Sequence, residues 1–106
     1  MFDTIIIGAG PAGLSAAKVL QDNQRVLVID EYYHAGGRLL GQLYEEKKGK
    51  WWNGLKIAKE LILETEKKSE ILINTSVYDV EYNNNYTVHT TAGVFEASHL
   101  IIATGA

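Results

Sequence analysis

The chain is 106 residues long, 46% apolar, with a formal net charge of −3 and no cysteine. That length allows one domain, residues 1–106, with a modest but real core. The slight acidity speaks against nucleic acid or an anionic membrane as partner, since both need basic patches. The lack of cysteine excludes disulfides, thiolate metal sites and a redox-active thiol pair within these residues. No apolar run approaches the roughly 20 residues a membrane helix needs. The apolar N-terminus also lacks the basic start of a signal peptide, which leaves the cytoplasm as the expected compartment.

Phe2 to Ile7 is rich in β-branched residues and reads as a strand. It runs into Gly8-Ala9-Gly10-Pro11-Ala12-Gly13, a G-x-G-x-x-G between a strand and a helix. Gly8 lets the chain turn sharply. Gly10 leaves room for a pyrophosphate to approach the backbone. Gly13 lets the helix pack close to the sheet. The helix is expected from Pro11 to about Gln21, with Pro11 at the first position, where its missing N–H costs nothing. Leu14, Ala17 and Leu20, with Ala16 alongside, recur at helical spacing. Pro11 and Ala12 thus stand at the helix N-terminus, where an anion is favoured. A second strand, Arg25 to Asp30, ends in an acid about 20 residues past the glycines. A carboxylate there accepts two hydrogen bonds from a ribose diol and repels the 2′-phosphate of NADP.

A loop from Glu31 to about Lys50 is expected next, with Glu45-Glu46-Lys47-Lys48 as a solvated stretch. A second helix follows from an Asn53 N-cap to about Lys68. Its apolar face holds Leu55, Ala58, Leu61, Ile62 and Thr65. Ile71 to Asn74 reads as a strand parallel to the second. Val77–Tyr82, Tyr86–Thr90 and Val94–Ala97 alternate and are separated by Asn83-Asn84-Asn85 and Ala92-Gly93, giving an antiparallel meander. Leu100 to Ala103 is continuously apolar, as a buried parallel strand beside the first should be.

Asp30-Glu31-Tyr32-Tyr33-His34-Ala35-Gly36-Gly37-Arg38 resembles the acid-then-Gly-Gly pattern of FAD-dependent oxidoreductases. The terminal His99-Leu100-Ile101-Ile102-Ala103-Thr104-Gly105-Ala106 resembles the family's apolar strand running into Ala-Thr-Gly. Together they span the chain and resemble the pyridine nucleotide–disulfide oxidoreductase superfamily. Gly36 to Leu43 looks most like the branch of the sarcosine oxidase α subunit and opine dehydrogenase-type proteins. The resemblance implies a Rossmann-like FAD/NAD(P)-binding α/β fold: a parallel sheet with an antiparallel β-meander crossover. It implies FAD as cofactor, with Gly37, Arg38, Thr104 and Gly105 joining Gly8, Gly10, Pro11, Ala12, Gly13 and Asp30 as contacts. Arg38 is either a phosphate contact, through its rigid fork of donors, or a surface residue. The family usually has Glu at Asp30, and Glu31 is the alternative ribose ligand. Members also carry a later Gly-Asp segment and an NAD(P)H domain. The chain is therefore expected to be the N-terminal part of a larger flavoprotein, or a truncated product, whose exposed sheet edge favours a homo-oligomer or association with the rest of the enzyme.

Tyr32 and Tyr33 are read as packing the loop rather than stacking on adenine. Of Trp51 and Trp52, one anchors the core and the other meets a further domain, a subunit or the flavin. His34, His89 and His99 have no metal-ligand spacing, so no metal is expected, and His89 is placed on the exposed face of its strand. No catalytic acid or base stands out. Two rivals remain: an NAD-binding Rossmann domain of a dehydrogenase, and a non-catalytic module that keeps the fold.

Overall fold

The computed structural model describes residues 1–32, 35, 43–47 and 50–104; residues 43–47, 50–55, 57 and 58 are described by their backbone alone. Among the described residues the elements follow in the order β1 Phe2–Ile7, α1 Pro11–Leu20, β2 Val26–Ile29, β3 Leu43–Lys47, β4 Lys50–Asn53, α2 Gly54–Glu66, β5 Glu70–Leu72, β6 Val77–Asn83, β7 Asn85–Thr90 and β8 Gly93–Ile102. The main sheet has the order β5-β2-β1-β8-β7-β6, and β3 and β4 form a separate pair. β5, β2, β1 and the second half of β8 run parallel. The first half of β8 pairs antiparallel with β7, and β7 with β6.

The alternation of side chains along a strand divides the core in two. Ile6, Val26 and Val28 point to one face and pack with Leu14 and Ala17 of α1 and with Leu61 and Ile62 of α2. Ile5, Leu27 and Ile29 point to the other and pack with Val88, Ala97, Phe95 and Val77 of the meander. The two faces are thus covered by different things, helices on one and antiparallel strands on the other. This is why β2 is apolar at all four positions and buried at each. Burying each such side chain contributes about 1.5–3 kcal/mol.

The helices are tied to each other as well as to the sheet. Thr65 is fully buried, and its hydroxyl lies 2.8 Å from the Leu61 carbonyl and 3.3 Å from that of Leu14. Gln21 Nε2 donates to the Glu64 carbonyl at 2.9 Å. The i, i+4 bond from Thr65 to Leu61 uses a donor that would otherwise be orphaned in the core.

Three expectations change. Leu43–Lys47 and Lys50–Asn53 are paired strands rather than loop, so Glu45, Glu46 and Lys47 lie in a strand, while Lys48 lies outside the described residues. The β-propensity of Leu43, Tyr44, Trp51 and Trp52 outweighs the polar run between them. The third parallel strand stops at Leu72, because Asn74 adopts a left-handed φ of 52°, which breaks extended pairing. Finally, the last meander strand and the terminal parallel strand are one element, β8. Ala97 is paired with Tyr86 on one side and Phe2 on the other, so the meander is continuous with the central sheet.

Candidate functional site at the glycine loop

β1 pairs with β2 on one side and β8 on the other, while the chain leaves β1 through α1 towards β2. The strand order therefore diverges at the carboxyl ends of β1 and β8, where open α/β sheets place their ligand crevice. Gly8 to Gly13 lie at this point, and the end of β2 brings Asp30 beside them.

The three glycines meet different surroundings. Gly8 has a φ of +117°. A Cβ there would lie 2.6 Å from the Ala103 carbonyl carbon and 2.9 Å from the Thr104 nitrogen. The loop is thus held against the outgoing end of β8, where Ala103 N–H donates to the Ile7 carbonyl at 2.8 Å. A Cβ on Gly13 would collide with the Gly8 carbonyl oxygen and lie 3.3 Å from Ile6 Cγ2. Gly10 differs: among the described residues, nothing stands within 4 Å of where its Cβ would be. The protein's own packing requires glycine at positions 8 and 13 and leaves space at position 10.

α1 begins at Pro11 with Gly10 as its N-cap; Gly10 has no side chain to cap it, and its first turn holds no acid. Pro11 and Ala12 are exposed. The unpaired amides and the positive end of the helix dipole therefore face the space beside Gly10, a setting that takes an anion.

Asp30 is half-buried and ties the loop to β2. Its Oδ2 accepts a hydrogen bond from Ala9 N–H at 2.7 Å, and its Oδ1 accepts one from Tyr32 N–H at 2.8 Å. Each oxygen keeps a second lone pair for another donor. The Asp30 backbone is fixed too: its N–H donates to the Leu72 carbonyl and its carbonyl accepts from Thr75 N–H, both at 2.9 Å. Glu31 is exposed one residue further on, and Thr104 is exposed beside Gly8. Gly8, Gly10, Pro11, Ala12, Gly13, Asp30, Glu31 and Thr104 are thus gathered at one end of the parallel sheet. Gly36, Gly37, Arg38 and Gly105, with Tyr33 and His34, lie outside the described residues, as do the side chains of Trp51 and Trp52.

Sequence reasoning missed two backbone partners, the Ala9 N–H on Asp30 and the Ala103–Thr104 peptide against Gly8. The first has a faint signal in the small residue between the glycines, which lets the loop fold back onto β2. The second has none, because it depends on how β8 ends.

Among the described residues no helix is long and apolar enough to cross a membrane. The chain is 32% identical to a thioredoxin reductase from Treponema pallidum (strain Nichols) over 99% of its own length and 36% of the relative's. It is equally 32% identical to the sarcosine oxidase subunit alpha of Corynebacterium sp. (strain P-1), over 98% of its own length and 13% of that protein's. The equal identities favour neither branch. The crystal structure of T. acidophilum thioredoxin reductase superposes with a TM-score of 0.85 at 28% identity, covering 98% of this chain and 35% of that one. The chain thus spans about a third of the reductases it matches. Residues 2–106, including both ends of the sheet and the glycine loop between them, match the pyridine nucleotide-disulphide oxidoreductase family, and the chain belongs to that family.

Proposed function

We propose that residues 1–106 are the FAD-binding portion of a flavin-dependent oxidoreductase. The observation that carries this reading is the open space at Gly10, set over an uncapped helix N-terminus and flanked by Asp30. Burial alone would leave position 10 free to carry any small side chain. A dinucleotide fits the residues present. Its pyrophosphate would meet Gly10 and the amides of Ala12 and Gly13. Its ribose hydroxyls would meet the remaining lone pairs of Asp30, or Glu31. Thr104, and also Gly37, Arg38 and Gly105, complete the proposed set. The flavin supplies hydride-transfer chemistry when bound, and these residues bind and orient it.

Several features favour FAD over NAD: the Gly36-Gly37-Arg38 stretch, the meander on the second sheet face and the family match. An NAD(P)-binding step belongs, in this reading, to a further domain. The name of the family refers to disulfide chemistry, and these 106 residues hold no cysteine to perform it.

The test is the visible spectrum of the purified chain after incubation with FAD and desalting. Retained flavin bands are expected, and Gly10→Val should abolish them while costing only about 1 kcal/mol of stability, the cost of an apolar residue at a helix N-cap. A colourless parent chain, or a Gly10→Val variant that retains flavin like the parent, would sink the proposal. Retention of NAD in place of FAD would favour the dehydrogenase reading.

A further inference from the structure

We infer that Asp79, Glu81 and His89 form a surface site for a divalent transition-metal ion of the zinc type. The residues lie on β6 and β7, in the meander. The register sets Asp79 directly opposite His89 and Glu81 opposite Thr87, so all three side chains stand on the same side of the sheet. Their ligand atoms all lie within 4.8 Å of one another, and His89 Nε2 is 2.6 Å from Glu81 Oε1.

The donor set is one imidazole and two carboxylates. Such a mixed set suits zinc and its neighbours, whereas magnesium and calcium prefer oxygen alone. Ligands at about 2.0–2.2 Å from zinc stand closer together than 4.8 Å, so Asp79 must swing inward. It is exposed and has no hydrogen bond or ion pair among the described residues, which leaves it free to rotate. His89 is held more firmly, with a quarter of its side chain exposed and the Tyr78 ring 6.1 Å away.

Charge supplies a second, separate reason. β8 places Glu96 opposite Thr87 and Val94 opposite His89, which adds a third carboxylate to the same side. Residues 69–106 contain no lysine or arginine. The face therefore carries negative charge that the meander itself does not neutralise, and a dication would. Three protein donors leave positions for water, as in an open rather than a closed site.

Calorimetric titration of the chelator-treated full chain with ZnCl2 tests this. One saturable site per chain is expected, with His89→Ala and Asp79→Asn each weakening it at least about tenfold. Circular dichroism checks that both variants fold. If His89→Ala does not, Asp79→Asn decides alone, because the Asp79 side chain makes no hydrogen bond or ion pair among the described residues. Absence of saturable binding, or binding that Asp79→Asn leaves unchanged, overturns the inference.

Discussion

Gly13 and Gly10 are three positions apart and answer to opposite forces. At Gly13 a single added methyl group would press on the Gly8 carbonyl, and backbone cannot step aside as a side chain can. Gly13→Ala is therefore expected to destabilise the fold by about 1–3 kcal/mol, in the range of overpacking in a tight interior. Chemical denaturation reads this directly, and a Gly13→Ala midpoint equal to the parent's would refute it. The same change at Gly10 meets open space and should cost less, no more than about 1 kcal/mol for alanine in place of glycine at the helix N-cap. A side-by-side measurement separates glycine kept for packing from glycine kept for a ligand. The fingerprint was legible in the sequence because spacing and flanking strand and helix were all local. The Asp30–Ala9 bond was not, because an acid at a strand end gives no sign of which backbone amide it will meet.

At the level of elements, local pattern placed β1, α1, β2, α2 and the meander turns. The turn residues confirm their chemistry in the backbone: Asn84 has a φ of 66° and Gly93 of 129°. What local pattern could not show was the unity of β8. Its first half alternates between outward and inward residues, and its second half is evenly apolar yet not the buried strand that this pattern predicts, since Leu100 and Ile101 are half-buried and Ile102 is exposed. The period changes within one strand, and a change of period reads like a boundary. The Asp79–Glu81–His89 group escaped for a related reason, since Asp79 and His89 are far apart in the chain and only the register of the β6–β7 hairpin makes them neighbours. The helices carry their own pH test. Lys68 Nζ lies 2.6 Å from Asp22 Oδ1, and this hydrogen bond and charge lower the Asp22 pKa from its ordinary 3.8. A lowered folded-state pKa stabilises above the unfolded value and loses that contribution as pH falls through the folded one. Asp22→Asn should therefore be slightly less stable than the parent at pH 7 and indistinguishable from it once the pH lies well below 3.8. The pair is exposed, so added salt should shrink the difference at neutral pH. A gap in stability that widens on acidification would contradict this.

Taken whole, the molecule guards its sheet edges unevenly. The outer strands are short, as in β5, or carry acids, as in β6, both common ways to discourage pairing with another chain. β8 is different. β7 covers it only as far as Ala97, and from Ser98 to Ile102 its described partner is β1 alone. Leu100, Ile101 and Ile102 carry no charge, and Ile102 is 69% exposed. Self-association is therefore the expected behaviour of this chain at high concentration, and light scattering should show a mass that rises with concentration and falls back in Ile102→Lys. A constant monomer mass would count against it. The position of β8 also sets a timetable. β1 is synthesised well ahead of β8, yet Phe2 pairs with Ala97. At 5–20 residues per second the first strand waits roughly 5–20 s for its neighbour. During that interval β2 can shield one flank of β1, while the other stays bare until β8 has been made, an unpaired strand edge of the kind that favours aggregation.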